Sequence, residues 1–394
     1  MRFQRKISDQ IELQLESKEI IVITGMRRVG KTTLLQMIYD KISSNNKVFL
    51  DLENILEQKV FEETDFNNIW ANLRAYDVSN REKTYIFLDE IQAMPQIVRA
   101  IKYLYDHYDV KFFLTGSSSF YLKNLFPESL AGRKIIFELF PLTFSEFLVF
   151  KGIQKENFTE FKDKAQQKNR IVHEKNKKLF EEYLIFGGFP QVALAEKESQ
   201  KNLFLKDIFT SYFEMDVRRM ADFRQMNAFR DLLLLLMQRV GSKLEISKLA
   251  SEISVSRETV YSYLSFLEGS YFIFRIPPFS QNVDREVSGT KKIYFCDNGI
   301  INYFGKVSDG ALLENTVFQN IRQYGKVNYY QKRSGAEIDF ILPEKKIAFE
   351  VKKKAQESDC VKLKKLSNSL HLEECYIISQ EFSEIQELIP AQDL

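Results

Sequence analysis

Over roughly the first 145 residues, short unbroken apolar runs alternate with stretches whose apolar positions recur every three or four residues. The runs EIIVIT, KVFLDL, TYIFLD, KFFLTG and KIIFEL have the length and continuity of strands buried on both faces. Between them, TTLLQMIYDKI and QIVRAIKYLYDHY carry the helical period. Such alternation predicts an α/β domain on a mostly parallel sheet over residues 1–145. The pattern then changes. KENFTEFKDKAQQKNRIVHEKNKK is charged and reads as a solvated helical extension with little core of its own. FEEYLIFGGFPQVAL and further helical stretches follow, so 146–240 is expected to be a helical extension or lid. Within it LLLLLM, residues 232–237, has charged flanks and reads as a buried helix. Residues 241–290 read as a compact helical unit followed by strands, and 291–394 mix strands and helices again.

Composition narrows the class without naming a function. A chain of 394 residues predicts two to four domains. Its 44% hydrophobic and 28% charged residues describe a soluble, folded protein. Lys plus Arg number 56 against 54 Asp plus Glu, so any nucleic-acid contact must come from local patches. No apolar run is long enough to span a bilayer, and MRFQRKISDQ lacks the apolar core of a signal peptide. Cys296, Cys360 and Cys375 lie far apart, which suits reduced thiols rather than a disulfide frame or a zinc site. The expectation is a cytoplasmic protein with no membrane partner.

The first chemical signal is GMRRVGKT, residues 25–32, after the strand EIIVIT and before a helix. It fits G-x-x-x-x-G-K-[ST], in which glycines let backbone N–H groups curl around phosphates at a helix N-terminus. Gly25, Gly30, Lys31, Thr32 and Thr33 are the expected ATP-binding set, with Lys31 on the β/γ-phosphates and the Thr32 hydroxyl on Mg²⁺. TYIFLD ends in Asp89–Glu90: Asp89 suits the Mg²⁺ shell, and Glu90 can orient and deprotonate the attacking water. KFFLTGSSS delivers Thr115 and Ser117 to the same edge, where both are candidates to sense the γ-phosphate.

The order of P-loop, extra strand, acidic pair and polar-tipped strand resembles the AAA-type ATPases. More narrowly, GMRRVGKTTLL, YIFLDEIQ, FFLTGSSS and AGRKIIFELFPLTFSEF resemble a family of bacterial and archaeal ATP-binding proteins. These join such an ATPase to a C-terminal domain of unknown function, and IFGGFPQV and KKIYFCDNGI extend the resemblance along the chain. It implies ATP hydrolysis and makes Arg133, just before KIIFEL, a candidate arginine finger supplied to a neighbouring copy in a homo-oligomer. A surface arginine capping the preceding helix fits the same position. Arg27 and Arg28 suit either phosphate or acidic neighbours.

LEISKLASEISVSRETVYSYLSFLEG, residues 244–269, resembles a helix-turn-helix, with YFIFRIP and KKIYFCD as the strands of a wing. Ser256 is the expected N-cap of its second helix. The outward residues there would be Arg257, Glu258, Tyr261, Ser262 and Ser265, a weak charge for a phosphate-seeking surface. Asp297, in FCDNGI, is expected to be a turn residue.

Toward the end, ALLENTVFQNIRQY is a helix carrying Glu314, VNYYQKR, AEIDFIL and KIAFEVK are strands, and SDCVKLKKLSNSL and CYIISQ close the domain as helix and strand. That order resembles the PD-(D/E)xK nuclease core, here without the proline, since Ile338 precedes the aspartate. By the resemblance Glu314 is the helical acid, Asp339 the second-strand aspartate, and Glu350 and Lys352 the E-x-K pair. Asp339 and Glu350 are then candidates to bridge a second Mg²⁺ or Mn²⁺, with Lys352 positioning the attacking water. A solvated strand pair with a Glu–Lys ion pair, or an inactive nuclease shell, fits the same residues. Lys352, Lys353, Lys354, Lys362, Lys364 and Lys365 suit either a nucleic-acid backbone or a solvated face. Two readings of the whole chain follow. One is an ATPase coupled to a nuclease-like tail acting on DNA or another nucleic acid. The other is a nucleotide-controlled switch whose output is binding of a protein or DNA partner.

Overall fold

The computed structural model describes residues 3–117, 132–154, 158–218, 225–280, 282–332 and 335–394. Two compact units divide the chain, Met1–Phe140 with Gly269–Tyr271 and Pro141–Glu268 with Phe272–Leu394. Ser118 and Ser119 of the GSSS run, and the leucine and alanine of LAGR, lie outside the described residues.

In the first unit five strands, β1 (Ile20–Thr24), β2 (Lys47–Asp51), β3 (Thr84–Asp89), β4 (Val110–Gly116) and β5 (Lys134–Glu138), form a sheet in the order β2-β3-β4-β1-β5. All neighbours run parallel. Every residue of β1, β3 and β4 is buried, which is why those runs are apolar throughout rather than alternating. The helices Lys31–Lys41 and Ile97–His107 connect strands as the pattern predicts. Ile69, Trp70, Leu73, Ile101 and Leu104 pack with Phe112 and Leu114 in one core. The α/β reading of this segment therefore stands.

The second unit holds what the sequence divided into three. The helix Arg170–Phe186 buries His173, Asn176, Phe180, Tyr183 and Leu184. Before it, the helix Phe161–Gln166 buries Phe161, Lys164 and Ala165, and the Phe161 ring lies 4.9 Å from that of Phe349. This corrects the expectation of a wholly solvated extension: Phe161, among its charges, is covered. Helix Met226–Met237 buries Leu232, Leu233, Leu236 and Met237, as expected for LLLLLM.

Two helices, Ile246–Glu252 and Arg257–Gly269, are followed by an antiparallel pair of strands, β6 (Ile273–Ile276) and β7 (Lys292–Phe295). The Thr259 N–H donates to Ser256 Oγ at 3.1 Å, the cap expected for the second helix. Arg257, Glu258, Tyr261, Ser262 and Ser265 are all exposed.

The last sheet has the order β12-β11-β10-β9-β8. Its strands are β8 (Asn328–Gln331), β9 (Glu337–Leu342), β10 (Ile347–Lys352), β11 (Glu374–Ser379) and β12 (Leu388–Pro390). β8, β9 and β10 pair antiparallel, and β10, β11 and β12 parallel. The helices Asp309–Ile321 and Glu357–Ser369 stand where the pattern put them, and β12, only three residues long, was too short for it to reveal.

Asp297 is more than a turn residue. It is 3% exposed and accepts the Gly188 N–H at 2.6 Å and the Gly299 N–H at 2.8 Å. A Cβ on Gly188 would fall 2.2 Å from the Leu142 carbonyl oxygen, so only glycine lets this backbone approach. Beside it the Asn298 side chain donates to the carbonyls of Leu184 and Leu312 and to the Thr316 hydroxyl. IFGGFP and FCDNGI thus meet in one buried knot whose polar groups are paired.

Candidate functional site

Parallel pairing sets the geometry of the first site. Ile23 of β1 lies opposite Thr115 of β4, and Leu88 of β3 opposite Leu114, so Thr115 stands one step along, beside Asp89. The chain leaves β1 at Thr24 and turns through the P-loop into the helix beginning at Lys31. Gly25 has φ of 154°, and a Cβ there would lie 2.0 Å from the Leu139 carbonyl oxygen. Gly30, with φ of 99°, is the N-cap of the helix. Both glycines are required by backbone shape.

Lys31 is 4% exposed and donates to the Met26 carbonyl at 3.2 Å, which holds its ammonium across the loop mouth. Thr32 follows, its hydroxyl near enough to Asp89 to favour the ionised carboxylate, and Thr33 is exposed in the first helical turn. Thr115 donates its hydroxyl to Asp89 Oδ1 and accepts the Glu90 N–H at 2.9 Å. Asp89 is 4% exposed, and burial pushes its pKa up while the hydroxyls of Thr115 and Thr32 pull it back down. P-loop hydroxyl, acidic strand end and the next strand's hydroxyl therefore converge on one carboxylate.

Thr115, one of the two hydroxyls offered for γ-phosphate sensing, is buried and engaged with Asp89 and Glu90, so it positions the acidic pair. The Ser117 N–H donates to Gln92 Oε1 at 3.4 Å, and Gln92 donates through Nε2 to Glu90. Glu90, at a φ of 52°, is fixed by its backbone to Thr115 and by its carboxylate to Gln92.

Arg133 immediately precedes β5, and its carbonyl accepts the Ile20 N–H at 2.8 Å. That is the end of the sheet opposite the P-loop, about 16 Å away along a five-residue strand. Its guanidinium pairs with Asp106 at 3.3 Å. Within its own chain Arg133 does not reach the nucleotide site. The helix it was expected to cap lies among residues that are not described.

Sequence reasoning missed Arg5. It is 7% exposed, and its guanidinium donates to the Val29 carbonyl at 3.0 Å and to the Phe140 carbonyl at 2.7 Å. It ties the phosphate loop to the segment that leaves β5. A single arginine in MRFQRKISDQ carries no pattern that would distinguish it from a solvated one. Gln92 was legible only as part of YIFLDEIQ.

The four residues singled out in the C-terminal segment form a second cluster. Burial and the neighbouring Asp339 carboxylate push both Glu314 and Glu350 up to about 7. Asp339 is itself raised, chiefly by burial. The cluster, however, already contains its partners. Tyr294 donates to Glu314 Oε1 at 2.6 Å, the Val351 N–H donates to Asp339 Oδ2 at 2.8 Å, and Lys352 donates to Glu350 Oε1 at 2.8 Å. Lys292, from β7 and 5% exposed, lies 3.7 Å from Glu314 Oε1 and also pairs with Glu337. Glu350 Oε2 is buried without a hydrogen-bond partner. Among the described residues, no group of three or more histidine, cysteine, aspartate or glutamate side chains is gathered so as to hold a metal ion. The residues present do not fit the divalent cation expected of this pattern. Lys352, expected to work on a water, is spent on Glu350. Lys292 and Tyr294 were not singled out, because nothing in KKIYF marks that strand as facing the acids, and Glu337 read as one more charge on its strand.

Comparison with known proteins matches three successive segments, where the fold has two compact units. Residues 17–148 match a family described as an AAA domain, 177–310 a domain of unknown function (DUF8612), and 309–392 another (DUF4143). The chain is 30% identical over 348 residues to the uncharacterized protein MJ1544 of Methanocaldococcus jannaschii, covering 85% of this chain and 75% of that one. An uncharacterized protein of Haemophilus influenzae is 27% identical over 384 residues, covering 92% of this chain and 89% of its own. Among solved structures, the Aeropyrum pernix ORC2 protein in its ADP form has a TM-score of 0.37 and 12% identity, covering 70% of this chain and 87% of that one. That likeness is too low to carry an argument. No helix among the described residues is long and apolar enough to cross a membrane.

The raised pKa of Glu350 gives a pH prediction. With its folded value above the usual 4.5, at about 7, the wild type loses stability as pH rises through that window, because ionising the buried carboxyl is costly. Glu350→Gln is expected to melt near wild type at pH 5 and to gain on the order of 2 kcal/mol relative to it by pH 8. Melting curves at both pH values check this. A difference that stays constant or falls with pH contradicts it.

Proposed function

The chain belongs to the same family as the Methanocaldococcus jannaschii protein MJ1544, and from that premise we propose that it is a Mg²⁺-dependent, ATP-hydrolysing AAA-type ATPase that passes its nucleotide state to the segments after residue 145. The observation that carries this reading is the hydrogen bond from Thr115 to Asp89 at the carboxyl edge of a parallel sheet, with the P-loop hydroxyl of Thr32 also favouring the ionised Asp89. The residues fit Mg-ATP. Gly25 and Gly30 open the loop backbone to phosphate, Lys31 is placed at its mouth, and Thr32 and Asp89 present hard oxygen ligands side by side. Mg²⁺ held there would neutralise charge across the β- and γ-phosphate oxygens.

Glu90, fixed by Thr115 and Gln92, takes the proton of the attacking water, and Ser117 supports that arrangement through its backbone. Arg133 serves the transition state only from a second copy, so the reading includes a homo-oligomer. Two variants test the site. Lys31→Ala is expected to lose nucleotide binding and turnover together. Glu90→Gln is expected to keep ATP binding while turnover falls by about a hundredfold or more. Full turnover in Glu90→Gln contradicts the assignment.

For the C-terminal segment the second reading is favoured, a nuclease-like shell that binds without cutting. Its support is that Glu314, Asp339 and one oxygen of Glu350 are engaged by Tyr294, Val351 and Lys352, with Lys292 among them. Exposed Lys354, Lys362 and Lys365 support nucleic acid as the partner, whereas Arg257 beside Glu258 on the second helix gives it little, and a protein partner fits that helix better. A cleavage assay on DNA and RNA with Mg²⁺ or Mn²⁺, with and without ATP, is expected to find wild type no more active than Glu350→Ala. Metal-dependent cutting that Glu350→Ala abolishes restores the nuclease reading.

A further inference from the structure

The C-terminal centre holds four carboxylates, Glu314, Glu337, Asp339 and Glu350, and two ammonium groups, Lys292 and Lys352. The two lysines stand in different places. Lys352 shares a strand face with Glu350, is a third exposed, and does what an E-x-K pair does on any half-wet strand. Lys292 comes from β7, far away in sequence, and its side chain is 7% exposed. Its ammonium lies between Glu314 on a helix and Glu337 on β9, with the Asp339 carboxylate acting on it as well. Carboxylates from a helix and a strand meet on one cation, as they do around a divalent metal, but here they are spaced for an ammonium and not gathered for a metal ion.

A buried ammonium is costly unless its donors are matched, and here acids on two separate elements surround it. Removing it would leave four carboxylates against one lysine, a local charge relieved by protonating the acids or, where they stay ionised, by another cation. The disagreement between the nuclease-like pattern and the residues present therefore has a specific cause.

We propose that Lys292 is the resident cation of this centre: its ammonium occupies the place a divalent metal would take, so the wild-type domain is metal-independent, and neutralising Lys292 opens a divalent-cation site on Glu314, Glu337 and Asp339. This rests on the non-cutting reading of the C-terminal segment and explains it. It is independent of the ATPase site, which the Lys31 and Glu90 variants test on their own.

The experiment is Mn²⁺ binding by calorimetry to the full chain without nucleotide, comparing wild type, Asp339→Asn, Lys292→Met and Lys292→Met/Asp339→Asn. Wild type and Asp339→Asn are expected to bind Mn²⁺ alike and weakly. Lys292→Met is expected to gain one site at least about tenfold tighter (a factor worth about 1.4 kcal/mol), and the double variant to lose it. Lys292→Gln, which keeps a hydrogen-bonding tip without charge, is expected to behave as Lys292→Met. If Lys292→Met does not fold alone, added Mn²⁺ is expected to restore its melting transition. A wild-type Mn²⁺ site that Asp339→Asn removes overturns the proposal. So does a folded Lys292→Met that gains no site, or an unfolded one that Mn²⁺ does not restore.

Discussion

A single buried carboxylate organises the N-terminal unit. Asp89 ends β3 almost without solvent, where ionisation is costly, and it is kept ready by hydroxyls from two other elements. Thr115 can reach it because β4 lies beside β3 in the sheet, and Thr32 because the P-loop folds back over the end of β1. Changing the strand order would separate these three side chains. The apolar runs that bury the sheet on both faces therefore also build the site, since they fix which strand ends are neighbours.

The second unit depends on buried polar groups of another kind. Asp297 and Asn298 join IFGGFP to FCDNGI by satisfying backbone groups that would otherwise be stranded. A short distance along the same chain, Lys292 enters the carboxylate cluster of the last sheet. Both contacts join segments that look like separate domains in the sequence. They give a physical reason why residues from 141 onward gather as one unit apart from Gly269–Tyr271.

The strands, the P-loop and the acidic pair were legible because each rests on local pattern: an apolar run, a glycine spacing, a charge at a strand end. The element order of the C-terminal segment was legible for the same reason. Arg5, Gln92 and Lys292 were not, because their partners lie far off in sequence or their type is ordinary on a surface. Asp297 looked like a turn for a related cause, since its partner Gly188 is over a hundred residues away. The charged stretch before residue 180 misled through composition: Phe161 is covered, and Lys164 is buried with its ammonium donating to the Asp393 carbonyl. In the hairpin GAEIDFILPEKKIAFEVKKK, Asp339 and Glu350 do come near one another and Lys352 meets Glu350, but the second cation of the cluster, Lys292, comes from another strand.

The claim that Asp89 is organised by hydroxyls from its neighbours is tested most directly by ATP turnover in Thr115→Val and Thr115→Ser across Mg²⁺ concentrations. Valine keeps the volume and removes the group that meets both Asp89 and the Glu90 N–H. The serine variant is expected to stay near wild type. The valine variant should fall by about tenfold or more, the loss of about 1.4 kcal/mol of transition-state stabilisation, and need more Mg²⁺ to reach half-maximal rate. Wild-type turnover and Mg²⁺ dependence in Thr115→Val would contradict it.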